Sequence, residues 1–139
     1  MKNTLLLAII LLLFFSCKKE NTPTQSLNEK VDATATIKTV GNFSNGPYGT
    51  VSGSAKVYMV ADVLQLAFED FSSSNGPDLK VYLSKEINPV NFINLGNLKS
   101  VSGNQLYMLP AGTVAKDYKY ALVYCQRYSH LFGSAELKF

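Results

Sequence analysis

Val63-Leu64-Gln65-Leu66-Ala67-Phe68-Glu69-Asp70-Phe71 decides the fold class. Leu64, Leu66 and Phe68 take alternate positions, with Gln65 and Glu69 set opposite. Successive side chains of a strand point to opposite faces, so this run presents one apolar row. Val63 and Ala67 fall on the second side. Leu79-Lys80-Val81-Tyr82-Leu83-Ser84 repeats the pattern, with Leu79, Val81 and Leu83 facing one way and Lys80 and Tyr82 the other. In 118–128, Ala121, Val123 and Cys125 share a face, opposed by Tyr120, Leu122, Tyr124 and Gln126. Both faces there are largely apolar, which predicts a central strand covered on both sides. No stretch sustains the 3.6-residue period of an amphipathic helix.

The stretches 36–40, 50–60, 91–95, 105–109 and 134–139 complete a set of about eight short strands. Turn signals separate them: Asn45-Gly46-Pro47, Asn75-Gly76-Pro77, Gly96-Asn97, Gly103-Asn104 and Ala111-Gly112. The expectation is an all-β domain over 34–139, an antiparallel β-sandwich or flattened barrel. Ser-Asn-Gly-Pro recurs at 44–47 and 74–77, and Val-Ser-Gly at 51–53 and 101–103. The two offsets disagree, so these are reused turns and not a repeat. Residues 17–33 are polar and aperiodic, which predicts a flexible linker.

The N-terminus reads as an export signal. Leu5 to Phe15 contains no polar residue. It is too short to cross a bilayer, which takes about 20 helical residues. It suits a signal peptide over 1–16. Ser16-Cys17 resembles the lipobox of bacterial lipoproteins, with Phe14 where leucine is usual. That resemblance implies cleavage before Cys17 and lipidation of its sulfur. The mature chain is then expected in the bacterial cell envelope, held by a lipid anchor on the extracytoplasmic side of the inner or outer membrane. One acyl chain anchors weakly, and two or more hold firmly.

The chain has 139 residues and a formal charge of +3. That length suits one domain. No basic run appears beyond Lys18-Lys19, so a nucleic-acid partner is not expected. One histidine, two cysteines and no tryptophan are present. These counts fall short of Cys/His zinc sites, blue-copper sites and iron–sulfur clusters, and Cys-x-x-Cys-His is absent. No metal site is expected.

If Cys17 is acylated, Cys125 is the single thiol of the mature chain, and a lone thiol is notable in an exported protein. A bare redox thiol, or non-covalent haem held by the Cys125 thiolate, survives the count. Between Val123, Tyr124 and Tyr128 the cysteine also reads as a small buried hydrophobe. Arg127 would share its face on a regular strand and could stabilise a thiolate. Cys125 and His130 would lie on opposite faces unless the chain turns near Ser129. Glu69 and Asp70 are adjacent and diverge, while Asp78 reads as a turn residue accepting backbone N–H bonds. No nucleophile–base pair is evident, so a stand-alone enzyme is not expected. Tyr107, Tyr118, Tyr120, Tyr124 and Tyr128 either present an aromatic surface to a glycan or protein, or complete the core with their hydroxyls at its rim.

Several stretches in order resemble one family. They are Gly41-Asn42-Phe43, Val51-Ser52-Gly53-Ser54-Ala55, and Asn75-Gly76-Pro77-Asp78-Leu79-Lys80-Val81-Tyr82-Leu83-Ser84. Leu98-Lys99-Ser100, Gly103-Asn104-Gln105-Leu106-Tyr107 and Leu109-Pro110 follow, then Val123-Tyr124-Cys125 and Phe132-Gly133-Ser134-Ala135-Glu136-Leu137. Over about 38–139 this is similar to the DM-thirteen domain, a proposed electron-transfer module of Skeletor-type proteins. The resemblance implies a β-rich redox domain whose cysteine, matching Cys125, acts as a bare thiol or holds a group such as haem. Gly76, Pro77, Asp78, Phe132 and Gly133 match its motif positions. Tyr124 stands where the family often has tryptophan. An electron partner would be a separate redox protein, since the chain is too short to include one. The alternative is a non-catalytic envelope binding module for a glycan or protein.

Overall fold

The computed structural model describes residues 21–139. The predicted signal peptide 1–16 and the predicted lipidation site Cys17 lie outside the described residues. Nine strands form one sheet: β1 (Leu27–Asn28), β2 (Thr36–Asn45), β3 (Val51–Val60), β4 (Val63–Ser73), β5 (Leu79–Ser84), β6 (Phe92–Asn97), β7 (Ser102–Met108), β8 (Tyr120–Cys125) and β9 (His130–Glu136). A single 3-10 turn, Ala115–Asp117, precedes β8. All eight expected strands are present, and the ninth, β1, comes from the segment predicted to be a linker.

The sheet order is β1-β7-β4-β3-β2-β9-β8-β5-β6, antiparallel except for the short parallel β1–β7 pair. Its curl makes a half-barrel, the flattened-barrel architecture expected. β2 joins the two halves. Its residues 36–42 pair with β3 and its residues 43–45 with β9. The alternation in β4 holds: Leu64, Leu66 and Phe68 are buried in the core, with Phe43, Phe71, Val81, Leu83, Leu98, Tyr107, Val123 and Cys125. Phe43, Phe68 and Phe71 pack edge-to-face or tilted at 4.9–5.4 Å. Such ring geometries are favourable beyond the area they bury.

The segment 98–101 crosses from β6, at one edge of the sheet, to β7, near the other. Leu98 is buried and its N–H donates to Leu79 O at 2.9 Å. A polar knot fixes the crossing. The Gln105 Nε2 donates to Ser100 O at 2.7 Å, and Gln105 Oε1 accepts from Ser100 N–H at 3.2 Å and from the Tyr107 hydroxyl at 2.7 Å. The Tyr107 hydroxyl in turn accepts from Lys99 N–H. Burial pushes the Tyr107 phenol well above its ordinary pKa, with the Lys99 N–H opposing. Its hydroxyl sits inside the domain and not at the rim.

The expected linker is corrected by these contacts. From Asn21 onward it is docked on the domain. Thr22 is buried, Val101 N–H donates to Pro23 O at 3.0 Å, and the Ser100 hydroxyl donates to Gln25 O at 2.7 Å. Leu27 and Asn28 pair with Gly103 and Asn104. Gly103-Asn104, expected as a turn, therefore lies within β7. Gly103 has φ +96°, and a Cβ there would collide with the Leu27 backbone, so only glycine lets β1 approach. The Glu29 carboxylate accepts from Leu106 N–H at 2.7 Å and pairs with Lys99 Nζ at 2.9 Å. Burial raises the Glu29 pKa, but the Leu106 and Lys99 bonds outweigh it and hold the carboxyl below 4.5.

Two outcomes follow. Thr39 is buried on β2 and its hydroxyl has no partner among the described residues. Thr39→Val removes that unsatisfied group and keeps the shape, so urea unfolding should show a gain of about 1 kcal/mol. Because Glu29 is depressed in the folded state, its contribution is present above pH 4.5 and lost as pH falls through the folded value. Glu29→Gln should therefore flatten the acid limb of the stability–pH curve below that pH, measured by chemical denaturation.

Candidate functional site around Cys125

β8 ends at Cys125, and this termination sets the site. Residues 126–129 turn, with Ser129 at φ +52°, and β9 returns from His130. Cys125 is register partner to Leu79 of β5 on one side and to His130 of β9 on the other. The continuous strand expected over 118–128 is thus a hairpin. The correction matters: Cys125 and His130, expected on opposite faces, are brought directly opposite one another. The turn was hard to read because Gln126-Arg127-Tyr128-Ser129 has no Gly or Pro, and serine takes the left-handed position instead.

Cys125 has no exposed surface. It is a free cysteine packed among core side chains with Ala121 and Val123 on the same face of β8. Leu122, on the other face, is also fully buried. Beside it Tyr82 is enclosed between Phe92, at 4.3 Å, and Tyr124, at 5.3 Å. Burial raises the Tyr82 phenol above its usual value, with Tyr124 and Asp78 adding to it. The prediction that β8 is covered on both sides holds.

The motif residues converge on this hairpin. Asp78 O accepts from Gln126 N–H at 3.0 Å, which ties the Gly76-Pro77-Asp78 turn to the end of β8. The Asp78 carboxylate pairs with Lys80 Nζ at 3.1 Å, so its side chain serves an ion pair and not the backbone N–H bonds expected of it. The Phe132 ring fills the space between two glycines. A Cβ on Gly76 would lie 2.9 Å from Phe132 Cζ, and one on Gly49 2.6 Å from Phe132 Cδ2. A Cβ on Gly133 would lie 2.5 Å from Val51 Cβ. Gly76, Phe132 and Gly133 are therefore packing partners of the two loops that close over the thiol's hairpin.

Arg127 does not continue the face of Cys125. It stands exposed in the turn and lines an outer cleft of about 520 Å³ with Asn21, Asp78, Lys80 and Lys99. The thiolate partnership expected for it fails because the strand stops first. His130 stacks on Tyr48 with the ring centres 3.6 Å apart and the planes nearly parallel, and Tyr128 lies 5.9 Å from it. Tyr48 and Tyr128 are both more than half exposed. No local pattern singles out Tyr48, since its loop is distant in the chain. Of the C-terminal tyrosines, Tyr107 joins the core and Tyr128 the surface. Glu69 is bound by Lys56 and by the Tyr58 hydroxyl on the outer face of β3 and β4, and Asp70 occupies a bulge at φ +49°. The two carboxylates form no acid/base pair.

The family model described as Electron transfer DM13 matches residues 42–137. The chain belongs to the DM13 family. The match spans from β2 to the residue after β9 and takes in Cys125, the Gly76-Pro77-Asp78 turn and the Phe132-Gly133 pair. No curated protein and no solved structure matches the chain.

Haem at Cys125 does not fit this arrangement. Axial ligation requires an open approach to the sulfur, and the Cys125 sulfur is enclosed on all sides. Three outer clefts among the described residues are lined by other residues. A thiol enclosed in this way reacts only from opened states. An aromatic disulfide reagent should modify Cys125 orders of magnitude more slowly in the native chain than in the unfolded one, with a rate that climbs in sub-denaturing urea. Immediate stoichiometric modification of Cys125 in the native chain, located by peptide mass spectrometry, would contradict the enclosure.

Proposed function

We propose that this DM13 protein is a membrane-tethered lipoprotein of the bacterial envelope that passes reducing equivalents to a separate redox protein through Cys125. The family match supports the electron-transfer role. The single observation that carries the residue assignment is the position of Cys125, the free thiol among the described residues, on the hairpin that the Gly76-Pro77-Asp78 turn and the Phe132-Gly133 pair pack against. The Ser16-Cys17 pair and the apolar run before it support the tether.

Burial restricts the chemistry. Exchange at sulfur needs a second sulfur to approach it. The partner must therefore meet a state in which the 126–129 turn has lifted. In that state the Cys125 thiolate attacks a disulfide of the partner. A new sulfur–sulfur bond joins the two proteins, and the partner's old bond breaks. Cys125 is oxidised, one partner sulfur is reduced, and that leaving thiolate takes up a proton. An external thiol such as glutathione then attacks the Cys125 sulfur, which releases the partner as its dithiol, and a second external thiol frees Cys125 and leaves as the symmetric disulfide. The turn is lightly held, by Gln126 N–H to Asp78 O and by a 3.4 Å contact from Ser129 N–H to Gln126 O, which favours such opening.

A second reading is a non-catalytic envelope module that binds a glycan or protein. The exposed Tyr48–His130 stack beside Tyr128 favours it, because aromatic side chains with one wet end recur at binding surfaces.

The full chain equilibrated in glutathione buffers of graded redox ratio, then acid-quenched and weighed by mass spectrometry, tests the first reading. Cys125 should gain glutathione as the buffer becomes oxidising and lose it on return. A thiol that stays free across the whole range, while the urea-unfolded chain is modified, sinks thiol exchange and leaves the binding module.

A further inference from the structure

The N-terminal segment is clamped to one end of the domain. Asn21 N–H donates to Gly76 O at 3.3 Å and its Nδ2 to Pro77 O at 2.8 Å. Asn75 Nδ2 donates to Thr22 O at 2.9 Å. Between Cys17 and this clamped point stand residues 18–20 alone. Four residue steps span at most about 14 Å even when fully extended. A linker running freely to residue 33 would let the domain roam. One clamped at Asn21 holds a particular end of it close to the anchor.

That end has a distinct chemistry. It is where β5 begins and where β6 and β8 finish, so it carries the 126–129 turn. Lys80 is paired with Asp78 and Lys99 with Glu29. Arg127 lines the same cleft as Asn21 and has no ion-pair partner among the described residues. In sequence Lys18-Lys19 adjoin the anchor, against the single acid Glu20. Tyr48 and Tyr128 stand exposed beside the turn. Tyrosine favours the membrane–water interface because its ring sits among apolar carbons while its hydroxyl stays hydrated. Cations there are drawn to anionic headgroups. The opposite end, the 85–91 loop between β5 and β6, lies a strand length away, about 20 Å for six residues.

We propose that the end of the domain bearing Asn21, Arg127, Tyr48 and Tyr128 rests on the anionic headgroups of the membrane that holds the anchor, with the 85–91 loop pointing away. The proposal rests on the lipid anchoring proposed above. It puts the Cys125 hairpin at the membrane surface, so a partner reaches the thiol along the plane of the bilayer.

The test uses the full chain, lipidated in its host and reconstituted into phosphatidylglycerol/phosphatidylcholine vesicles containing a nitroxide-headgroup lipid. A fluorophore is attached through Gln126→Cys in one sample and Val90→Cys in another. Both sites are exposed, and the unsubstituted chain controls for labelling of the enclosed Cys125. Mass spectrometry of the Cys17 peptide comes first. A chain without the lipid overturns the anchoring reading and this proposal with it. In the lipidated chain, quenching several-fold stronger at 126 than at 90, shrinking in the Arg127→Ser/Tyr128→Ser variant, supports the headgroup contact. Equal quenching, stronger quenching at 90, or a difference untouched by that variant overturns the contact while leaving the anchor intact.

Discussion

Gln105 is fully buried on β7 and spends both ends of its amide on the backbone of Ser100. The rest of the domain depends on that knot. A single curled sheet has two edges, and the chain must pass between them to continue from β6 to β7. The passing segment exposes backbone groups to the core, where an unpaired one is costly. Gln105 and Tyr107 supply the missing partners from the neighbouring strand, and Ser100 relays the bonding to Gln25 in the N-terminal segment. The same crossing brings Leu98 into the core and gives Pro23 a backbone partner. Closure of the sheet and docking of the N-terminal segment are therefore one event.

The far side of the molecule is organised by exclusion of space. Phe132 packs where two glycines leave room, and Gly133 sits against Val51. These contacts pull the β2–β3 loop and the turn before β5 over the β8–β9 hairpin. The result is a thiol without surface, beneath a turn held by few bonds. A buried cysteine is shielded from adventitious oxidation. The same shielding makes its reactivity a property of the turn. Any redox role for Cys125 is gated by local opening, whose free energy can lie well below that of global unfolding.

The strands were legible because one-sided burial writes itself into alternation. Leu64, Leu66 and Phe68 are buried as their spacing required, and so are Leu79, Val81 and Leu83. The Gly-Pro-Asp and Phe-Gly motifs could be recognised along the chain. Three features were not legible. The 21–33 segment lacks periodicity because its order comes from hydrogen bonds to distant backbone groups, which leave no apolar pattern. The 126–129 turn uses Ser129 at positive φ, where sequence reasoning looks for glycine. The partnership of His130 with Tyr48 joins loops far apart in sequence.

The sequence by itself determined the all-β class, the faces of the core strands, the motif positions and the place of Cys125. Those features depend on the identity and spacing of neighbouring residues, which a strand's two-residue period makes local. Tertiary structure alone decided that Cys125 is sealed, that it faces His130 in register, and that the N-terminal segment is clamped at Asn21. Each of these follows from which strands pair and where a strand stops. Pairing is set by contacts between segments distant in the chain, and no local pattern encodes them.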